Sequence, residues 1–577
     1  MDSSGARRFA VFGVLMGALV GGGVASAEEL FTDRAAAAGL DFVHFNGMSG
    51  RYTIAEVTGS GGALFDYDND GDLDLYLVQG KILGPESAME QAVFPPSGPL
   101  PLRDRLFRND LAVDSDGRPL PRLVDVTSTS GLDGVEYGMG AAVGDFDSDG
   151  WPDLYVTNLG PNRLWRNNGD GTFADVTESS GTGERRWSAP ASFFDFDNDG
   201  WLDLFVGNYL AFTMAQNQSC IGETGLRDYC GPQSYKPEPD RLLRNRGDGT
   251  FEDVTTSAGI AAEFGPALGA TATDLDGDGW TDLYVANDQA PNQLWLNRGD
   301  GTFVDEALLS GSAVNRDGQM EASMGVDAAD FDGDGDEDLF LAHLSRESNT
   351  LYVNDGRGLF NDRSLESGLG NPSWRGTAFG AAGLDYDNDG WLDLFTANGS
   401  VYIQFELDRD NDPYPLHQTN QLYRGLGGGA FEDVSATAGA EFERSEVSRG
   451  AMFGDIDNDG DTDVVVNNNS GPARLLINNT GSLANWLGLR LVGGEPPHYR
   501  LGVRVAVEPG SSRPPLWRRS RVDGSFASAR DPRLIVGLGT EIGARRAEVH
   551  WPGGRVEAWN DLGSGSYLTL IQGAGPR

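Results

Sequence analysis

Twenty-eight aspartates recur in seven nine-residue stretches, at positions 1, 3, 5 and 9 of each, with glycine at position 6. They are Asp66, Asp68, Asp70 and Asp74 in DYDNDGDLD; Asp145, Asp147, Asp149 and Asp153 in DFDSDGWPD; Asp195, Asp197, Asp199 and Asp203 in DFDNDGWLD; and Asp274, Asp276, Asp278 and Asp282 in DLDGDGWTD. The other three sets are Asp330, Asp332, Asp334 and Asp338 in DFDGDGDED; Asp385, Asp387, Asp389 and Asp393 in DYDNDGWLD; and Asp455, Asp457, Asp459 and Asp463 in DIDNDGDTD. Alternating carboxylates on a curling backbone aim hard oxygen atoms at one centre. The glycine permits the sharp turn, position 7 offers its carbonyl, and the ninth aspartate closes the shell. An all-oxygen set in a flexible loop suits Ca²⁺ better than Mg²⁺ or Zn²⁺, so up to seven Ca²⁺ ions are expected. Without them the carboxylates would repel and raise one another's pKa, which couples metal affinity to folding. A single DxDxDG is weak evidence, because acidic turns are common; seven in register, each followed by a β-type run such as LYLV or VVVN, are strong. An EF-hand is excluded, since no glutamate stands at position 12 in helical flanks.

Two more signals recur around each loop. An F-x-D strand appears at Phe31, Leu123, Phe173, Phe251, Phe303, Phe360 and Phe431, and a strand of the form L-W/Y/F/L-x-N begins at Leu106, Leu164, Leu242, Leu294, Leu351, Leu422 and Leu475, the sixth ending in Gly425 instead of Asn. A Gly- and Ala-rich strand precedes each loop, and a tight NxGDGTF-type turn leads back to the next F-x-D. Four short strands in each of seven units predict an all-β fold, a seven-bladed β-propeller with Ca-binding loops, over residues 28–484. The first F-x-D has no strands before it and the seventh unit has none after, so Phe31–Asp33 is expected to close the ring as the outer strand of the last blade. In such a fold the Asp loops and the NxGDGTF turns share one face. The long insertions at 34–59, 80–105, 209–241 and 399–420 fall on the other, where binding loops on a rigid scaffold are expected.

The chain carries 43 basic and 87 acidic residues, net −44. That balance argues against nucleic acid and anionic membranes as partners. Residues 1–27 read as a signal peptide, with Arg7 and Arg8, an uncharged run and Ala25-Ser-Ala27 at the cut; the alternative is that the 19 uncharged residues from Phe9 are retained as an anchor. No later segment of the mature chain is apolar enough to span a bilayer. Export favours a disulfide between Cys220 and Cys230, the only two cysteines, the alternative being a pair of free thiols. After Asn479 the repeat stops. Residues 485–577 hold 13 Arg and 8 acidic residues and read as a separate small β domain, with strands NWLGLRLVG, GVRVAVEPG, RRSRVDGSF, RLIVGLG, AEVHWPGG and RVEAW.

The repeated GDxDxDGxxDLxV pattern resembles the FG-GAP and VCBS repeats of integrin alpha-subunit propellers, whose loops hold Ca²⁺ on one face. With NWLGLRLVG, RLIVGLG and VHWPGGRVEAW after it, and RDYCGP around Cys230, the chain is similar to the cartilage acidic protein family with its C-terminal ASPIC/UnbV domain. One departure is Gly524-Ser-Phe-Ala, where the family's C-terminal motif has Gly-Ser-Gly-Tyr. The resemblance implies a secreted or periplasmic, cell-surface protein; animal relatives belong to the extracellular matrix, and similar proteins accompany enediyne gene clusters.

No GxSxG, HExxH or phosphate-cradling loop occurs. His343 stands where other units carry Asn158, Asn208, Asn287, Asn398 or Asn467, and Glu321, Arg375 and Arg449 are expected near the same mouth as candidate ligand-face residues. Trp151, Trp201, Trp280 and Trp391 at loop position 7 read as packing between loops. The resulting expectation is a calcium-binding adhesion module for an extracellular or envelope protein or glycan, with no catalytic residues assigned. The alternative is an extracytoplasmic lyase, dehydratase or hydrolase with its site in the propeller mouth.

Overall fold

A computed structural model describes residues 29–575 apart from 85, 99, 114–116, 118, 223, 224, 511 and 512. The expected leader at 1–27 lies outside the described residues, and among the described residues no helix is long and apolar enough to cross a membrane. The chain is all-β. Seven four-stranded antiparallel sheets account for the repeat region, the first built from Gly62–Phe65, Asp74–Leu77, Arg105–Asn109 and Leu123–Asp125. The innermost strands, Gly62–Phe65, Gly138–Gly144, Ser188–Phe194, Ala267–Thr273, Val326–Ala329, Ala378–Leu384 and Ser448–Gly454, each pack against the next, and the last packs against the first. Between adjacent sheets lie separate apolar clusters, such as Phe65, Tyr67, Val143, Leu154 and Phe173 between the first two.

The N-terminal strand Phe31–Asp33 pairs antiparallel with Arg474–Asn478, in the register Phe31 opposite Asn478, and so becomes the outer strand of the seventh sheet. Phe31 is fully buried and meets Phe442 edge-on at 5.9 Å. Deleting residues 28–40 is expected to lower the melting temperature sharply, and Phe31→Ala alone should cost about 3–5 kcal/mol. A thermal melt unchanged by the deletion would contradict this closure.

A second device joins neighbours. The asparagine that ends the third strand donates its side-chain amide to the carbonyl of loop position 2 in the preceding sheet: Asn167 to Tyr67 at 2.8 Å, Asn297 to Phe196 at 2.7 Å, and, across the closure, Asn109 to Ile456 at 2.9 Å. Gly425 removes this donor from the sixth sheet.

The strands between Asn485 and Ile571 form two packed sheets around Leu487, Leu489, Val505, Val536 and Val549. One expected strand is corrected. RRSRVDGSF is strand only as far as Arg519. From Ser520 the chain leaves the module and descends the axis between the seven inner strands. Ser525 pairs with Val326, Ala529 pairs with Ala63, and the Ala527 carbonyl accepts the Ala141 N–H. Inner strands of a ring of sheets present unpaired backbone edges to the axis, and buried edges must find partners. Residues 520–531 supply them. The small residues of the inner strands make room: a side chain at Gly140 would stand 2.6 Å from the Ala527 carbonyl oxygen.

Candidate metal loops and the two capped faces

In each loop the first aspartate is a clamp for the turn. Asp66 accepts the Asp70 and Gly71 N–H groups, both at 3.0 Å, and Asp455 accepts those of Asp459 and Gly460. Position 4 is left-handed as well as position 6: Asn69, Ser148, Asn198, Asn388 and Asn458 have φ between 50° and 58°, the conformation that Asn and Gly adopt at least cost. The ninth aspartate is a rivet. Asp74 accepts Tyr67 N–H at 3.0 Å and Asn109 N–H at 2.8 Å, tying the loop to its base and to the third strand, and the same pair of bonds recurs through Asp463.

The aspartate at position 3 is left with work undone. Oδ1 of Asp68, Asp147 and Asp457 is buried with no donor. Oxygens of Asp66, Asp68 and Asp70, of Asp145, Asp147 and Asp153, and of Asp330, Asp332 and Asp338 lie within 4.8 Å of one another in each group. Burial first, and then neighbouring carboxylates, push Asp66 up to about 6 and Asp457 up to about 8. Crowded carboxylate oxygens and orphaned lone pairs fit a hard divalent cation. These clusters can hold metal ions.

Trp151, Trp201 and Trp280 lie over Gly169, Gly247 and Gly299 of the third-to-fourth-strand turn in their own sheets, at hypothetical Cβ distances of 2.6–2.7 Å. For these three the packing is within a sheet, and any side chain on those glycines would displace the indole; Trp391 meets Gly427 of its own sheet and also Gly333 of the preceding Asp loop, at 2.8 and 2.7 Å from their hypothetical Cβ positions, and so packs between loops as expected.

The loop face is covered by the C-terminal module, an arrangement its sequence alone did not reveal. Arg500 donates to Gly200 O, Arg504 to Gly335 O, Arg518 to Gly390 O, and Arg533 to Gly71 O and Asp455 O. The available signal was the excess of arginine in a module attached to an acidic ring. Deeper in, Arg519 meets Glu337 at 2.9 Å and Arg521 meets Asp327 at 2.8 Å, all four buried or nearly so. Asp523 accepts Ala272 N–H and the Ser192 hydroxyl.

The opposite face gathers the insertions. Met48, Val57, Tyr229, Tyr414 and Leu416 form one apolar cluster. Asn46 donates to the Tyr414 hydroxyl at 3.2 Å, Asn217 to Arg51 O, and Ile403 N–H to Asp228. Cys220 and Cys230 form a disulfide with an S–S length of 2.08 Å inside this assembly.

The four candidate ligand-face residues do not converge. Glu321 and His343 are together, 3.6 Å apart, with 9% and 1% of their side chains exposed. Arg449 is wholly buried: its guanidinium donates to Val57 O, Gly399 O, Ser400 O and Ser448 O and lies 4.1 Å over the Phe379 ring. It is an internal fastener, not a surface group, and burial lowers its pKa to about 10. Arg375 is exposed, and its carbonyl accepts from Gln418. The register equivalent of His343 in the seventh sheet is Asn468, opposite Ser448, rather than Asn467. Asp288 and Glu347, which sequence reading passed over, stand nearby. Burial raises both, Asp288 to about 7, with the Tyr209 hydroxyl donating to it at 2.5 Å.

Comparison with known proteins places these features. Cartilage acidic protein 1 of Homo sapiens is 26% identical over 370 residues, 60% of this chain and 50% of the relative, and that of Mus musculus is 25% identical over 372 residues, 59% and 51%. The chain thus spans about half the length of the curated relatives it matches. A solved lectin from Burkholderia pseudomallei superposes with a TM-score of 0.40 at 11% identity, covering 74% of this chain and 97% of that one, too distant to bear on function. The model described as FG-GAP-like repeat matches residues 122–206, 225–285, 274–341, 330–396 and 385–466, more than half of the chain, and that described as ASPIC and UnbV matches 494–577. The chain belongs to the FG-GAP-like repeat family and carries an ASPIC and UnbV module at its C-terminal end.

Proposed function

We propose that the protein is an exported, calcium-stabilised binding module, taking a protein or glycan of the cell surface or extracellular space on the face built by its insertions. The observation that carries this reading is the division between the two faces. The loop face is covered by the C-terminal module, whereas the insertions, braced against one another, hold Val93, Leu100, Ile221 and Phe405 exposed. Apolar side chains displayed on rigid loops are a common basis of protein and glycan recognition. The orphaned oxygens of Asp68, Asp147 and Asp457 support calcium in the scaffold, and the family and the disulfide support an extracellular setting.

The test is retention. Immobilised protein is probed with a glycan array and with surface-protein fractions, against the double variant Ile221→Asp/Phe405→Asp. Loss of capture at an unchanged melting temperature is expected; equal capture by the variant would move the site elsewhere. The catalytic reading has one observation in its favour, the buried Glu321–His343 pair beside Asp288 and Glu347. Substrate turnover abolished by His343→Gln would replace the binding reading with it.

A further inference from the structure

We propose that the cavity between the C-terminal module and the first two Asp loops binds a small amphipathic organic anion. This inference is independent of the insertion-face reading. The cavity measures about 280 Å³ and is apolar on both sides, with Phe65, Leu73 and Val143 from the ring facing Val492, Leu501 and Val522 from the module. Its size approaches the lower end of small-molecule pockets, about 300 Å³. Asn69, Pro497 and Thr569, all exposed, stand at its rim and leave it open to solvent.

Two polar groups reach this space without a partner among the described residues. The guanidinium of Arg490 has no ion pair or hydrogen bond among the described residues, its Nε is sealed from solvent, and it lies 5.5 Å over the Tyr567 ring with its terminal nitrogens beside Gly71. The Tyr499 hydroxyl has no hydrogen-bond partner either, and lines the same wall. Leaving a buried charged donor unsatisfied is costly, and a planar guanidinium fork matches a carboxylate or sulfonate. By contrast, neighbouring Arg533 is fully engaged by Asp531, Asn458 and loop carbonyls. Three other titratable groups face the cavity. Asp66 and Asp145 are held by their own loop N–H groups, and calcium in those loops would take up their charge. His498 has its Nδ1 4.0 Å from Asp145 and 3.1 Å from Pro496 O. The ligand is therefore an apolar body of one or two rings with a single anionic head on Arg490.

The probe is 8-anilinonaphthalene-1-sulfonate, titrated into the folded full chain in calcium, with N-phenyl-1-naphthylamine as its neutral counterpart. One saturable site is expected for the sulfonate, weakened about tenfold or more by Arg490→Gln, which corresponds to about 1.4 kcal/mol, while the neutral probe is indifferent to that change. Thr569→Trp, at the exposed rim, should block both probes without lowering the melting temperature. Sulfonate binding that is unaltered in either well-folded variant, or that fails to saturate at one site per chain, would overturn the proposal.

Discussion

Chelation of divalent cations is expected to lower the melting temperature by roughly 20 °C or more, with recovery on adding calcium. Ion binding at a hundredfold excess over Kd contributes about 2.7 kcal/mol per site, so even four occupied sites would total about 11 kcal/mol, and each kcal/mol moves the midpoint of a large domain by about 2–4 °C. The seventh loop should dominate. Asp455, Asp457, Asp461 and Asp463 there are at most 5% exposed, and Asp463 is raised by burial and then by Asp457 and Asp461. The sign of a single substitution separates the two sources of energy. In chelator, Asp457→Asn removes one of several crowded like charges and should raise the melting temperature. In calcium it removes a ligand and should lower it. Scanning calorimetry in both conditions checks this, and a melt indifferent to chelator would remove calcium from the scaffold.

Breaking the arginine contacts of the axial segment is expected to have the next largest effect. Asp327 is fully buried, and Arg521 holds it at 2.8 Å, with Arg530 3.9 Å away. Arg521→Met would leave that carboxylate largely uncompensated, at a cost of about 3–5 kcal/mol. Asp327→Asn in the same chain removes the charge that was stranded, so the double variant should recover much of the loss. Denaturant unfolding of the two single variants and the double variant measures the coupling. Equal stability of Arg521→Met and the parent would mean that the segment does not occupy the axis as described. Because the backbone of residues 520–531 also bonds to four of the seven inner strands, the first, second, fifth and seventh, their loss should destabilise the ring itself and not merely detach the module.

Much of this architecture was legible at short range. The loop geometry, the order of strands and the closure through Phe31 follow from spacing, because a nine-residue turn and a hairpin are governed by neighbours in sequence. The ninth aspartate illustrates the limit. Its type and position were visible, but its two backbone bonds to Tyr67 and Asn109 were not, since Asn109 is distant in sequence. The stitching asparagines were likewise recognised as a motif without their acceptors, which lie in the neighbouring sheet. Arg449 lies away from the mouth for a related reason. An arginine beside a strand reads as a rim charge until four carbonyls from three separate segments are seen to enclose it.

By itself, then, the sequence determined the repeat, the all-β class, the carboxylate chemistry of the loops and the pairing of the chain's two ends. Only the tertiary structure decided that the arginine-rich module would turn onto the aspartate face, send Gly524-Ser-Phe-Ala down the axis and enclose a cavity beneath Arg490. Those outcomes depend on complementary charge and on unpaired strand edges that exist only once seven sheets have assembled, and no local spacing in the chain records them.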